Sequence, residues 1–346
     1  GPGMDAFAES PEWGGSLVIF PFMYYETYGD DSLIKKYYPN MRRYVDYLKT
    51  RADKGILSFG LGDWYDYGDF RAGFSRNTPV PLVATAHYYM TVMYLLQAAK
   101  MVGNDFDTRY YTSLAQDIMA AFNKYFLHKD TAQYGTGSQC SNALPLFLQM
   151  TQDADEQGNY RPDADLHEKV FTNLIKDVEA HGNRLTTGDV GNRYLIQTLA
   201  RNGEHELIYK MFNHEEAPGY GFLLKFGATT LTEQWDPRQG SSWNHFMMGQ
   251  IDEWFFNSLV GIRPSTTPKQ GYQKFIIAPQ PVGDLKYVKA SYDTLYGTIN
   301  VDWTCENGTF TLNVSVPVNT TAVVYLPGEK EPKEIQSGTY QLVCAK

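Results

Sequence analysis

Apolar residues recur at three- and four-residue steps through most of the chain. Leu33, Tyr37, Met41, Tyr44 and Leu48 form one such stripe, and Ala86, Met90, Met93 and Leu96 form a second. Leu114, Ile118, Ala121 and Tyr125 make a third, and Val170, Leu174 and Val178 a fourth. This period puts one apolar face on an α-helix and predicts a helical region from about residue 15 to 262. Further helices are expected over roughly 138–150, 189–202, 204–213 and 243–262, with Gly29, Gly103, Gly182, Gly203 and Pro218 punctuating the gaps. Short links between paired helices predict an array of αα-hairpins. Two connections, 55–78 and 214–242, are long and rich in glycine and aromatic residues. Long structured loops on a helical scaffold usually carry function.

After Ile262-Arg263-Pro264 the period switches to two. Segments 275–279, 286–292, 298–303, 309–314 and 321–326 alternate apolar and polar positions, and Glu306-Asn307-Gly308 marks a turn between two of them. The pattern predicts a short antiparallel sandwich of about 80 residues. The boundary is expected near residue 265, with a helical region over 1–264 and a strand region over 265–346. No acid/base cluster falls in the strand region, which therefore reads as a packing module.

Composition narrows the function. In 346 residues, 43% hydrophobic content is enough for a sizeable core, and the aromatic share of 15% is unusual, although core packing accounts for most of it. Tyr and Trp keep a polar tip for a wet cleft, and a ring face stacks on the apolar face of a pyranose, so the excess leans toward carbohydrate. Net charge is −9 and no run of Lys or Arg makes a basic face, which disfavours a nucleic-acid partner. No window approaches the roughly 18 apolar residues of a membrane span. Gly1-Pro2-Gly3-Met4 reads as an added start, so a native leader and the compartment stay open. Cys140, Cys305 and Cys344 are too few and too scattered for a disulfide framework. His and Cys show no metal-ligand spacing, and Gly-x-Gly-x-x-Gly, Walker and Gly-x-Ser-x-Gly patterns are absent. No metal and no cofactor is expected.

Four places could carry chemistry. Glu233 lies in an apolar, Gly- and Thr-flanked stretch and is followed by Trp235 and Asp236. Such a carboxylate is either a structural acceptor or a group poised for proton transfer. Asp63-Trp64 sits among Gly60, Gly62, Tyr65, Tyr67 and Gly68, a composition that suits a sugar subsite or a self-capped loop. Trp13-Gly14-Gly15 has a similar look. His245 follows Asn244 at an expected helix start, where it is either a hydroxyl ligand or a satisfied residue behind an Asn244 cap.

Taken in order, these segments resemble a known family. Pro11-Glu12-Trp13-Gly14, residues 38–48, Gly62-Asp63-Trp64, Leu185-Thr186-Thr187-Gly188, Gly219-Tyr220-Gly221-Phe222, residues 227–233, Asn244-His245 and residues 290–297 are similar, collinearly, to the α-L-rhamnosidases of glycoside hydrolase family 78. The resemblance implies a mainly α fold, an (α/α)6 barrel followed by a small antiparallel β-sandwich, acting on rhamnose-containing oligo- or polysaccharides. It implies inverting hydrolysis, in which a general acid protonates the glycosidic oxygen and a general base activates water from the opposite face. By resemblance Glu233 is the base, and Trp13, Asp63, Trp64, Trp235 and His245 bind the sugar. The family's general acid lies in an acid-rich segment ending Gly-Trp-Thr-x-Asp, which has no equivalent here. About nine helices are expected, whereas six hairpins need twelve, so the barrel is expected to lack its first helices and the acid to lie upstream. A carbohydrate-binding protein without hydrolysis, or a related (α/α)6 hydrolase acting on another sugar, is the alternative.

Overall fold

The stripe that begins near Leu33 folds as the helix Ser32–Arg51, but its enclosed face runs Ile34, Tyr38, Met41, Val45 and Leu48. The first turns of the face shift by one residue because Tyr38 finds a polar partner. Its hydroxyl donates to Asp107 at 2.5 Å, and Arg42 closes on the same carboxylate at 3.2 Å. A buried Tyr with its tip satisfied outcompetes the neighbouring Tyr37 for the interior.

A computed structural model describes residues 7–154, 160–265, 267 and 271–346, so the Gly1-Pro2-Gly3-Met4 start lies outside the described residues. The helix Val80–Met101 is enclosed nearly all round and packs against Asp105–Phe126, which Asn104 caps by accepting the Asp107 N–H at 3.0 Å. Gln139–Phe147 packs against both Ala164–Ala180 and Gly191–Arg201. Ser16–Tyr28 is also a helix, although no stripe announces it: apolar residues occur on all its sides. Among the described residues no helix is long and apolar enough to cross a membrane.

The single helix expected over 243–262 is corrected. The chain there makes a 3-10 turn at Phe246–Met248, a short helix at Ile251–Trp254 and a π-turn at Phe255–Val260. It starts late because the His245 N–H donates to the Leu231 carbonyl at 3.0 Å, which keeps 242–245 extended against 231–233.

The described residues fall into two compact units. One draws on Gly1–Phe20, Lys35–Asn202 and Lys210–Gln250, the other on Pro21–Ile34, Gly203–Tyr209 and Ile251–Lys346. The second contains two four-stranded sheets. One runs Gly338–Ala345, Thr309–Val316, Gly297–Glu306, Tyr287–Thr294, all antiparallel. The other runs Lys333–Ile335, Thr321–Val324, Lys274–Ile277, Ile262–Pro264, and its central pair, Thr321–Val324 with Lys274–Ile277, is parallel. Inward positions of both sheets, including Phe275, Ile277, Val301, Trp303, Phe310 and Leu312, make one apolar core.

Candidate active site

The Gly-Asp-Trp loop is anchored from two directions. From one side, the turn Pro11–Gly14 reaches it: Ser10 Oγ accepts the Leu61 N–H and Glu12 Oε1 the Gly62 N–H, both at 3.1 Å. Burial pushes the Glu12 carboxyl up to about 7, against the pull of its Ser10 hydrogen bond. This turn carries Trp13, which is 37% exposed. Trp64 is packed in an aromatic nest, with Phe7 at 5.4 Å, Phe74 at 5.3 Å and Tyr65 at 4.8 Å between ring centroids.

From the other side the segment 186–192 clamps the loop. Thr186 O accepts the Tyr67 N–H at 3.0 Å, Asp189 N–H donates to Trp64 O at 2.7 Å, and Gly191 N–H donates to Asp63 Oδ1 at 2.7 Å. Two positions here admit only glycine. A Cβ on Gly188 would stand 2.0 Å from the Trp64 carbonyl oxygen, and one on Gly191 would stand 2.6 Å from Asp63 Oδ2. Asp66 supports the loop's far end by accepting the Arg76 and Asn77 N–H groups at 2.7 and 2.6 Å.

Asp63 is fully buried. Burial raises its carboxyl to about 7, while N–H groups of Gly188 and Gly191 pull in the opposite direction. Asp189 is also enclosed, and burial, followed by the charges of Asp63 and Glu233, pushes it to about 9. Its carbonyl accepts from Gln250 Nε2 at 2.8 Å, and Gln250 in turn accepts from Asn192 Nδ2 at 2.9 Å. Tyr65 is raised by burial and then by the charges of Glu233 and Asp189, which places Glu233 within the same electrostatic neighbourhood.

Glu233 sits on a folded-back ribbon. Its N–H donates to Ser242 O at 2.9 Å, and its Oε2 accepts the Ser242 N–H at 3.2 Å. Two residues before Glu233 and three after Ser242, the His245 N–H donates to Leu231 O, so the ribbon carries carboxylate and imidazole together. The helix-capping role considered for Asn244 falls to His245 instead: its Nδ1 accepts the Met247 N–H at 3.3 Å, and its ring stacks on Phe246. Trp235 is 1% exposed, its indole N–H donating to Thr187 O at 3.2 Å. Asp63 and Trp235 thus present no side-chain surface to solvent in this structure, whereas Trp13, Trp64, Glu233 and His245 do. Asp236 is held bidentately by Arg238 at 2.8 Å, which lowers its carboxyl and removes it from proton chemistry.

A cluster of buried polar atoms lies on these same segments. Asp66 Oδ1, Thr187 Oγ1, Asp189 Oδ1, Asn192 Oδ1 and Gln234 Oε1 are enclosed without a hydrogen-bond partner, and Asp63 Oδ2 meets only the weak Cys140 thiol. Buried polar groups in folded proteins are nearly always paired. Their concentration on 63–66, 187–192 and 234 marks a place built for something other than packing. By contrast His87 is buried with both ring nitrogens satisfied, by Val83 O at 2.8 Å and Tyr194 at 3.0 Å, and burial lowers it to about 4.

Asp189, Glu12 and Tyr65 were not singled out by sequence. The signal for Asp189 was available: Gly188-Asp189 followed by Gly191 repeats the glycine-flanked acid of Gly62-Asp63.

Residues 1–259 match the family described as the bacterial alpha-L-rhamnosidase 6 hairpin glycosidase domain, and residues 261–341 match the bacterial alpha-L-rhamnosidase C-terminal domain. An alpha-L-rhamnosidase of Streptomyces avermitilis is 28% identical over 335 residues, covering 94% of this chain and 30% of that protein. Among solved structures, an alpha-L-rhamnosidase from Dictyoglumus thermophilum is 30% identical with a TM-score of 0.84, covering 97% of this chain and 40% of that one. The Streptomyces avermitilis alpha-L-rhamnosidase complexed with L-rhamnose is 25% identical with a TM-score of 0.83, covering 96% and 33%. The chain spans between 30% and 38% of the length of the curated relatives it matches.

Proposed function

This chain belongs to the bacterial α-L-rhamnosidases of the six-hairpin glycosidase group, and from that premise we propose that the protein carrying it hydrolyses terminal α-L-rhamnose from oligo- or polysaccharides, with Glu233 as general base. The observation that supports this most is the placement of Glu233. It is a half-exposed carboxylate on one ribbon with His245, in the electrostatic neighbourhood of Tyr65 and Asp189. The Ser242 N–H occupies Oε2, leaving Oε1 to take a proton from water. Attack by that water on the face opposite the leaving group inverts the anomeric carbon. Trp13, Trp64 and His245 meet the sugar, and Asp63 and Trp235 complete the site from within its wall. The general acid comes from outside these 346 residues, in keeping with the fraction of the relatives' length that they span. The helical region over 1–264 carries this site, and 265–346 is a packing module.

The test is Glu233→Gln in the whole protein, assayed on an aryl α-L-rhamnoside. Turnover should fall by about 10²–10⁴-fold, and the first product of the native enzyme should be the β-anomer by NMR. Near-native turnover by the variant would remove Glu233 from the role of base, and an initial α-anomer would remove inversion.

A further inference from the structure

Asp63 and Asp189 are enclosed on two segments that clamp each other, Glu233 is half-exposed on a third, and hydrogen bonds treat the three carboxyl groups differently. Asp63 accepts the Gly191 N–H at 2.7 Å, and Glu233 accepts the Ser242 N–H at 3.2 Å in a half-exposed position. At Asp63 that donor favours the anion. Asp189 has none: its side chain is 3% exposed and Oδ1 is enclosed without a partner. A carboxyl group enclosed in a low-dielectric surrounding with no donor to its oxygens keeps its proton. We infer that Asp189 is a positioning residue that works as an uncharged carboxylic acid: it keeps its proton, and the wall formed by 63–66 and 187–192 keeps its shape for the sugar only while that proton stays.

The geometry explains why the proton matters to shape. The backbone of Asp189 is bonded to Trp64 O through its N–H and to Gln250 through its carbonyl. The glycines on either side touch the Trp64 carbonyl and the Asp63 carboxyl with no room for a Cβ. A charge at Asp189 would be buried with no donor and no cation facing it. The groups that do face it are Asp63, Glu233 and Tyr65, and the nearest cation in this set, Arg71, acts on Tyr65. Moving 187–192 away from the loop that carries Trp64 would relieve it. Asp189 lies near 9, Asp63 near 7, and burial holds Tyr65 and Cys140 above their ordinary values. The step between roughly pH 8 and 10 therefore belongs to Asp189.

This inference rests on the rhamnoside reading for its ligand, and the test separates the two. L-rhamnose is an uncharged probe, so the pH dependence of its binding reports groups on the protein. Calorimetric titration of the whole native protein should show affinity falling about tenfold between roughly pH 7 and pH 10, while Asp189→Asn, whatever its affinity near neutrality, should lose that alkaline step. Parallel pH profiles for the two proteins, or a native profile flat above pH 8, would overturn the inference; the second result needs no variant to fold. If the native protein binds no L-rhamnose at any pH, the rhamnoside reading fails, and thermal unfolding decides the proton assignment. The folded state holds a proton at Asp189 that the unfolded chain releases near pH 4, so native stability declines as pH rises from there toward 9. Asp189→Asn should decline less steeply, and an identical slope would overturn the assignment.

Discussion

The two cores of this chain follow opposite rules. In the strand unit, Phe275, Ile299, Val301, Trp303, Phe310 and Leu312 fill the space between two sheets, and the buried indole N–H of Trp303 donates to Leu259 O at 2.9 Å. Behind the Gly-Asp-Trp loop, enclosed positions hold Asp63, Asp66, Asp189, Asn192 and Gln234, and at each of them a polar oxygen lacks a full partner. Unpaired polar burial costs about 1–3 kcal/mol per group. The first arrangement is what stability selects. The second persists only where chemistry or binding requires it, which is why the candidate site lies there and the strand unit reads as support.

That contrast can be broken or sharpened by substitution. The largest effect is the loss of turnover in Glu233→Gln described above. Next, Trp303→Ala should lower unfolding free energy in urea by about 3–5 kcal/mol; a loss under 1 kcal/mol would mean that the strand core is not close-packed. Gly188→Ala should cost about 1–3 kcal/mol by overpacking and, unlike Trp303→Ala, should also weaken L-rhamnose binding, because it pushes directly on the Trp64 carbonyl. Tyr38→Phe removes one hydrogen bond to an Asp107 that keeps Arg42, so about 1 kcal/mol is expected. Asp63→Asn should change little near pH 4 and should unfold at higher temperature than the native protein above pH 7. The native Asp63, raised to about 7 in the folded state, binds a proton that the unfolded chain releases near pH 4, and so loses stability across that window. An unchanged slope would place Asp63 as an ordinary ionised carboxylate.

Much of this architecture is legible in the sequence, for physical reasons that also mark where legibility stops. Stripes such as Val170, Leu174 and Val178 become the enclosed face of Ala164–Ala180, and alternation in 309–314 becomes the strand Thr309–Val316. Period-two and period-3.6 patterns carry over because each element buries one face. Ser16–Tyr28 escapes that rule by being apolar on every side, and Ile262–Pro264 escapes it by being a three-residue edge strand ending in proline. Tyr38 displaces Tyr37 because a partner 69 residues away decides which tyrosine turns inward. The candidate site is less legible for the same reason. Glu233 and His245 lie close enough in sequence to be noticed together, whereas Asp63 and Asp189 are joined through Gly191, 128 residues from Asp63. No local spacing announces such a clamp. Local composition supplied Asp63, and the family resemblance stopped one residue short of Asp189.

The ribbon that carries Glu233 has a consequence for how such proteins diversify. Its two arms are joined by backbone groups at Leu231 with His245 and at Glu233 with Ser242, which fixes the ends of the intervening excursion. At its tip, the Pro237–Gln239 turn meets the loop at Ala72, where Gln239 Oε1 accepts an N–H at 3.3 Å. Residues between Arg238 and Ser242 can therefore lengthen, shorten or change character without displacing the carboxylate at their base. A lineage, or an engineer, can alter the surface beside the proposed base while inheriting its carboxylate unmoved.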